Sequence, residues 1–343
     1  MKPILAITMG DPAGVGPEIA VKALAHEEVY ELCTPVVIGD EAALRDADSF
    51  CRTGLELHPV TDIGDAADRL GVLDFIDLGY LTMGSWAYKK VSALCGRASF
   101  AYISRGIGLA LSRAVHGVVT GPINKEALNI AGYPYSGHTE IFAEFTGTKE
   151  YGMLLLSDTL RVIHVTTHVS MREACDRITE DRVYQVIRLA DEAMKALGIE
   201  RPRIAVAGLN AHAGENGLFG REEVTAILPA IKRAAGEGID ADGPIPPDTV
   251  FVKATAGLYD VVVAMYHDQG HIPLKLSGFR LDRETNRYTS VSGVNCTVGL
   301  PIIRTSVDHG TAFGKAGEGR ANEESMVDAI KTAVILAKVK YQL

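Results

Sequence analysis

The chain has 343 residues, of which 47% are hydrophobic, 22% charged and 6% aromatic, with 35 glycines and a net charge of −9. That length allows two lobes with sizeable cores, and the composition excludes a disordered or fibrous chain. An excess of 43 acidic over 34 basic residues argues against general affinity for nucleic acid or anionic membrane, so an anionic ligand must meet locally placed cations. The five cysteines, Cys33, Cys51, Cys95, Cys175 and Cys296, form no CxxC pair and are odd in number. They point to a reducing, cytoplasmic setting rather than a disulfide framework or thiolate zinc site. The first apolar run is broken by Asp11 and Pro12, and neither it nor any later run is expected to act as a signal or membrane span.

Short apolar runs leading into helical periodicity predict an α/β protein with a largely parallel sheet. Expected strands cover residues 4–9, 35–39, 117–120, 160–166, 204–209, 261–265 and 301–305. After the first strand, TMGDPAGVGPE does not fit G-x-G-x-x-G, because Gly10, Gly14 and Gly16 have the wrong spacing. It reads as a tight turn with Pro17 near the start of a helix. In YSGHTEIFAEF, His138 and Thr139 open a predicted amphipathic helix whose N-terminus suits an anion; simple capping by Thr139 is the alternative.

Residues 180–197 form the strongest predicted helix, with Val183, Val186, Ile187, Ala190, Met194 and Leu197 at three- and four-residue steps between a Thr179 cap and Gly198. Residues 236–248 are turn-rich and read as a loop. The last helix begins at an Asn322 cap and carries Met326, Ile330, Ala333 and Ala337 on one face.

Three segments, LRVIHVTTH, RIAVAGLNAH and DVVVAMYHDQGH, each run from an apolar strand into a histidine: His168, His212 and His267. Ligands of parallel sheets bind beyond the carboxyl ends of strands, and three imidazoles converging there make a catalytic divalent-metal site. His164 and His116 read as structural, and His271, a ligand alternative to His267 by position, reads rather as a solvated loop residue. Asp268 can orient a metal ligand or accept a proton, or is an ordinary loop carboxylate. Lys275, Asn295 and Arg304 make a chemically reasonable pocket for phosphate or carboxylate.

Near the end, SVDHGTAFGKAGEGRANEES resembles the adenosine-binding loop of isocitrate and isopropylmalate dehydrogenases, matched by His309, Gly310, Thr311, Ala312, Ala316, Gly317, Gly319, Ala321 and Asn322. The blocks TMGDPAGVGPE, TGPINKEAL, GHTE, TTH, LNAHAGE, YHDQGH and LPIIRTSVDHGTAF together resemble the 4-hydroxythreonine-4-phosphate dehydrogenase family. The resemblance runs from about Ile4 to the final helix. It implies two α/β/α lobes around a cleft, isocitrate/isopropylmalate dehydrogenase-like, in a homodimer with shared active sites. It also implies metal ligation by His168, His212 and His267, and substrate contacts from His138, Thr139, Lys275, Asn295 and Arg304.

On this reading residues 1–132 and 305–343 form a terminal lobe carrying much of the NAD loop, and 133–304 a central lobe with metal and substrate residues. The stretch RLDRETNRYTSVSG between Phe279 and Val294 lengthens a loop that is short in the pyridoxal-phosphate branch. It resembles the branch acting on D-threonate or D-erythronate 4-phosphate. The expected reaction is NAD- and metal-dependent oxidation and decarboxylation of a four-carbon 4-phosphorylated 3-hydroxy acid. The metal (Zn, Co, Ni, Mg or Mn), NAD against NADP, and the base (Asp248, Asp268 or a hydroxide on the metal) stay open. A divalent-metal hydrolase or phosphatase is the rival reading, and a phosphate-binding protein with a structural metal is a third.

Overall fold

The computed structural model describes residues 1–283, 287–291 and 293–343. They divide into two compact units, Met1–Thr148 with Leu300–Leu343, and Lys149–Gly299. Residues 133–148 and 300–304 thus belong with the terminal unit rather than the central one, which places His138, Thr139 and Arg304 there. Strands and helices are numbered in chain order.

The terminal unit is built on parallel strands β1 (Ile4–Thr8), β2 (Thr34–Gly39), β3 (Glu56–Pro59), β4 (Val72–Asp77), β5 (Gly117–Thr120) and β14 (Arg304–Val307). Their order is β3-β4-β2-β1-β5-β14. Leu5, Ala6 and Ile7 of the central β1 are wholly buried, as expected for a strand covered on both faces. Its helices are α1 (Gly16–Ala23), α2 (Glu27–Leu32), α3 (Glu41–Cys51), α4 (Ala93–Leu111), α5 (Lys125–Ile130), α6 (His138–Phe145) and α12 (Glu324–Tyr341). Pro17 sits in the first turn of α1, as the turn reading of GDPAGVGPE requires. The final helix starts two residues beyond Asn322, whose Oδ1 accepts from Glu324 N at 2.8 Å. Met326, Ile330, Ala333 and Ala337 are all buried.

The central unit has strands β6 (Gly152–Leu156), β7 (Arg161–His164), β8 (Ile204–Ala207), β9 (Ala241–Ile245), β10 (Val261–Ala264) and β13 (Val294–Val298). They run in the order β13-β6-β7-β10-β8-β9. β6 is antiparallel to both neighbours and the other pairs are parallel. β11 (Phe279–Asp282) and β12 (Arg287–Val291) pair as a separate antiparallel ribbon within the 280–293 stretch, of which residues 284–286 and 292 lie outside the described residues. Its helices are α7 (Met171–Asp176), α8 (Glu180–Ala196), α9 (Leu228–Gly236), α10 (Pro247–Thr255) and α11 (His267–Gly278). α8 keeps its expected ends: Thr179 Oγ1 accepts from Arg182 N at 3.2 Å, and Gly198 takes φ +91° just past the last turn.

Two expectations are corrected. Residues 236–248 contain edge strand β9, which holds its register against β8 despite Gly243 and Pro244, a composition that sheets accept at an edge. The last strand begins at Arg304 rather than at 301, because its ladder aligns Arg304–Ser306 with Val118–Thr120 of β5. No helix among the described residues is long and apolar enough to cross a membrane.

Asp11 is fully buried in the turn after β1. Its Oδ1 accepts from Ala13 N at 2.8 Å, and its Oδ2 has no partner among the described residues. Burial raises this carboxyl to about 6. An unfolded aspartate ionises near pH 4, so as the pH climbs the unfolded chain releases its proton first, and stability falls by about 3 kcal/mol between roughly pH 4 and 6. Asp11→Asn keeps the Ala13 bond and is expected to abolish that part of the slope. Urea unfolding of both proteins across roughly pH 4 to 7 checks it, and equal slopes would refute the assignment.

Candidate active site

In the central unit, His168 follows β7 and His267 opens α11 directly after β10, so both lie beyond carboxyl ends of strands as expected. Their ring centroids are 5.8 Å apart. His267 Nδ1 bonds to Asp268 Oδ1 at 2.6 Å, a contact that holds the Asp268 carboxyl below its usual range. With Nδ1 so committed, Nε2 is the nitrogen His267 presents to a ligand, the arrangement that favours a metal-binding imidazole.

His212 arrives on a different kind of segment. Residues 212–216 all take positive φ between 44° and 76°, four of them non-glycine. Left-handed backbone costs roughly 1–2 kcal/mol per L-residue, so this turn must be held by its surroundings. Glu223 supplies part of the hold by accepting from the amides of Leu209 and Asn210 at 2.8 and 2.7 Å. The ring of His212 neighbours Phe219, centroids 6.4 Å apart. Among the described residues no group of three His, Cys, Asp or Glu side chains is disposed to hold a metal ion. The donor chemistry of His168 and His267 fits a divalent cation; the third ligand is not gathered with them.

His271 is corrected from a solvated loop residue to a helical one. It lies 8% exposed one turn along α11, stacked on His267 with centroids 3.6 Å apart. His164, at the end of β7, is buried behind it at 4.9 Å. Burial pushes His271 down to about 4 and His164 to about 3, so both remain neutral beside the His267 and His168 pair. Lys275 continues the same four-residue stripe along α11, exposed, with its ammonium 5.7 Å from the Phe279 ring centre. Asn295 lies half-buried on β13 opposite Leu155. Asp248 is exposed in the first turn of α10 and makes no hydrogen bond to a site histidine among the described contacts.

In the terminal unit, Arg304 is 4% exposed and donates from Nη2 to Thr120 Oγ1 at 2.9 Å, with its guanidinium carbon 5.8 Å from the Phe142 ring centre. His138 is the first residue of α6 and Thr139 the second, as expected. His138 is buried, and its Nε2 has no partner among the described residues. Burial, then the nearby charges of Arg304 and Lys125, holds its pKa well below the usual histidine value. The result is a neutral imidazole beside two cations, which suits an oxyanion better than a cation.

Lys125 was missed in the sequence. The available signal was a cation at the first position of α5, where the helix dipole disfavours positive charge.

The loop that resembles an adenosine site forms a 3₁₀ turn at Phe313–Lys315 between Ala312, in the left-handed region at φ 44°, and Gly317 and Gly319 at φ +77° and +68°. His309 Nδ1 meets its neighbour Gly310 O at 2.9 Å. Any side chain at 317 would strike Tyr88 at 2.7 Å, so both the conformation and the close approach demand glycine.

A family profile described as pyridoxal phosphate biosynthetic protein PdxA matches residues 31–333. D-threonate 4-phosphate dehydrogenase of Salmonella typhimurium is 48% identical over 334 residues, 97% of this chain and 98% of that protein. The Cupriavidus necator protein of the same name is 45% identical over 336 residues, 98% and 97% of the two chains. The crystal structure of 4-hydroxythreonine-4-phosphate dehydrogenase from Klebsiella pneumoniae superposes with a TM-score of 0.86 at 43% identity, covering 98% of each chain. With matches of this extent, and with the motif histidines, Arg304 and the glycine loop all carried on the same α/β frame, the chain belongs to the PdxA family.

Proposed function

We propose that the protein is a dehydrogenase that oxidises a four-carbon 4-phosphorylated 3-hydroxy acid with NAD and decarboxylates the product. One observation carries the reading. In a chain aligned along nearly its whole length with D-threonate 4-phosphate dehydrogenases, a buried arginine adjoins a neutral histidine whose Nε2 is unengaged among the described residues. Arg304 is steadied by Thr120 and brings a planar guanidinium suited to an oxyanion, while Lys125 adds charge. Thr139, Lys275 and Asn295 are assigned as further substrate contacts.

A divalent cation (Zn, Co, Ni, Mn or Mg), assigned to His168, His212 and His267, would polarise the substrate hydroxyl and carboxylate when bound. Asp268 fixes the ring of His267 by accepting from Nδ1, and it and Asp248 are the candidate bases among the chain's own residues. His309, Gly310, Thr311, Ala312, Gly317 and Asn322 are assigned to the adenosine half of NAD. With NAD bound at that loop, the substrate's C3 hydride would pass to it and the hydroxyl proton to a base, leaving a 3-keto acid. The C1–C2 bond then breaks, carbon dioxide leaves, and the bonding pair enters the C2–C3 enolate. Protonation of that enolate yields dihydroxyacetone phosphate from a threonate or erythronate substrate. We assign the enzyme to the cytoplasm and, by the family resemblance, to a homodimer.

The lengthened 280–293 stretch favours a sugar-acid phosphate over the amino substrate. NADH formation with added divalent metal is expected to be fastest with D-threonate or D-erythronate 4-phosphate and slower with 4-hydroxy-L-threonine 4-phosphate. Release of inorganic phosphate without NADH would replace this reading with a metal-dependent phosphatase.

A further inference from the structure

Helix α1 holds a loop nearly three hundred residues away in sequence. Glu18 is fully buried, and its two carboxylate oxygens accept from two loop amides, Gly317 N at 2.7 Å and Ala321 N at 3.2 Å. One turn further, the Lys22 ammonium donates to two loop carbonyls, Gly319 O at 2.8 Å and Ala321 O at 2.7 Å. One turn earlier, Val15 N donates to Thr311 O at 3.0 Å. Gly14 approaches Thr311 so closely that a Cβ there would lie 2.8 Å from the threonine Cβ.

Residues 15, 18 and 22 share one face of a helix, since steps of three and four return to the same side. Between Thr311 and Ala321 the chain has only one 3₁₀ turn of regular structure. Its amides and carbonyls must therefore find partners elsewhere, and α1 supplies them from both signs of charge. A carboxylate that binds two amides at once sets their separation as well as their direction. The lysine does the same for carbonyls on the opposite side of the main chain.

We propose that Glu18 and Lys22 are positioning residues for dinucleotide binding, a matched acid and base that hold loop 311–321 in the shape that receives the adenosine half of NAD. The proposal rests on the assignment of that loop to NAD. It gives the GVGPE turn and the lysine after it a role that the Rossmann pattern does not supply, since α1 acts through the loop and not on phosphates directly. Removing either charge leaves loop groups unsatisfied and frees the loop without touching the histidines or Arg304.

The test uses the intact protein and three variants, Glu18→Gln, Lys22→Ala and Lys22→Arg. Glutamine keeps the size of Glu18 but turns an NH₂ group toward a backbone donor. NADH binding is followed by fluorescence without substrate, and KM for NAD and for the hydroxy acid by steady-state kinetics. Glu18→Gln and Lys22→Ala are each expected to raise the NADH dissociation constant and the KM for NAD about tenfold, the loss expected from one or two charge-assisted hydrogen bonds. The KM for the hydroxy acid and kcat at saturating NAD stay within about twofold, because the loop regains its shape once the ligand holds it. Lys22→Arg restores NADH binding to within about threefold of the parent by keeping the donor charge.

A parent that binds NADH alongside variants that bind it equally well overturns the clamp alone. So does a uniform fall in kcat and in affinity for both substrates. A parent that binds no dinucleotide overturns the clamp and the NAD assignment together, and the parent measurement alone reveals it. Should Glu18→Gln fail to fold, Lys22→Ala at its half-buried position decides the outcome.

Discussion

Replacing His267 by alanine is expected to lower kcat by at least about 10³-fold while leaving the protein folded, since one ligand's share of metal stabilisation amounts to several kcal/mol and each 1.4 kcal/mol is a factor of ten. The side chain is 37% exposed and its backbone begins a helix whose cap makes no side-chain hydrogen bond, so the packing lost with it is chiefly the stack on His271. What disappears is the imidazole that faces His168 at 5.8 Å and that Asp268 orients. Asp268→Asn leaves that imidazole in place but loses the charge that sets its tautomer, and is expected to cost only about 10–100-fold. Calorimetric titration with divalent metals, alongside turnover and thermal unfolding, separates the roles. If His267→Ala lost stability and activity in proportion, the site would be structural; activity within about tenfold of the parent would remove His267 from the chemistry altogether.

Arg304→Ala is expected to lower kcat/KM for the phosphorylated hydroxy acid by about 10²–10³-fold, because a buried charge pair truncated on one side loses about 2–5 kcal/mol. Arg304 is 4% exposed and donates to Thr120, so the orientation of its guanidinium is set before any ligand arrives. A lysine is not expected to rescue it, since the planar fork of donors is what a phosphate or carboxylate reads. Added guanidinium ion should restore part of the rate. Comparison with the same acid lacking its phosphate tells which anion Arg304 binds: if the variant and the parent differ equally on both acids, Arg304 serves the carboxylate. If they do not differ on the phosphorylated acid, it serves neither.

Much of the fold is legible in the sequence. β1, β2, β5, β8 and β10 were visible because each is a run of Val, Ile, Leu or Ala that ends at a turn residue, the signature of a strand buried on both faces. β3 and β4 carry no such signature. β3 has no buried residue and contains Pro59, and β4 interrupts its apolar run with Asp74, which is buried only because His58, Ala67 and Asp68 bond to it. β9 was hidden by glycine and proline, tolerated where one side of the strand needs no partner. His271 was misplaced because α11 carries a proline and little amphipathic pattern, so its helical course was not apparent from periodicity.

The site divides in the same way. The sequence by itself determined which residue types follow the carboxyl ends of strands, and that marks His168 and His267, because a strand's end follows from local hydrophobic patterning; Arg304 instead opens β14. Only the tertiary structure decided that Lys125 lies beside His138, that His271 stacks on His267, and that Glu18 and Lys22 hold the loop around Gly317. The pair on α1 reaches partners 297 to 303 positions away. Periodicity and capping report on neighbours within a few residues of chain, whereas a buried carboxylate's partners are set by which main-chain amides the packed fold leaves without one.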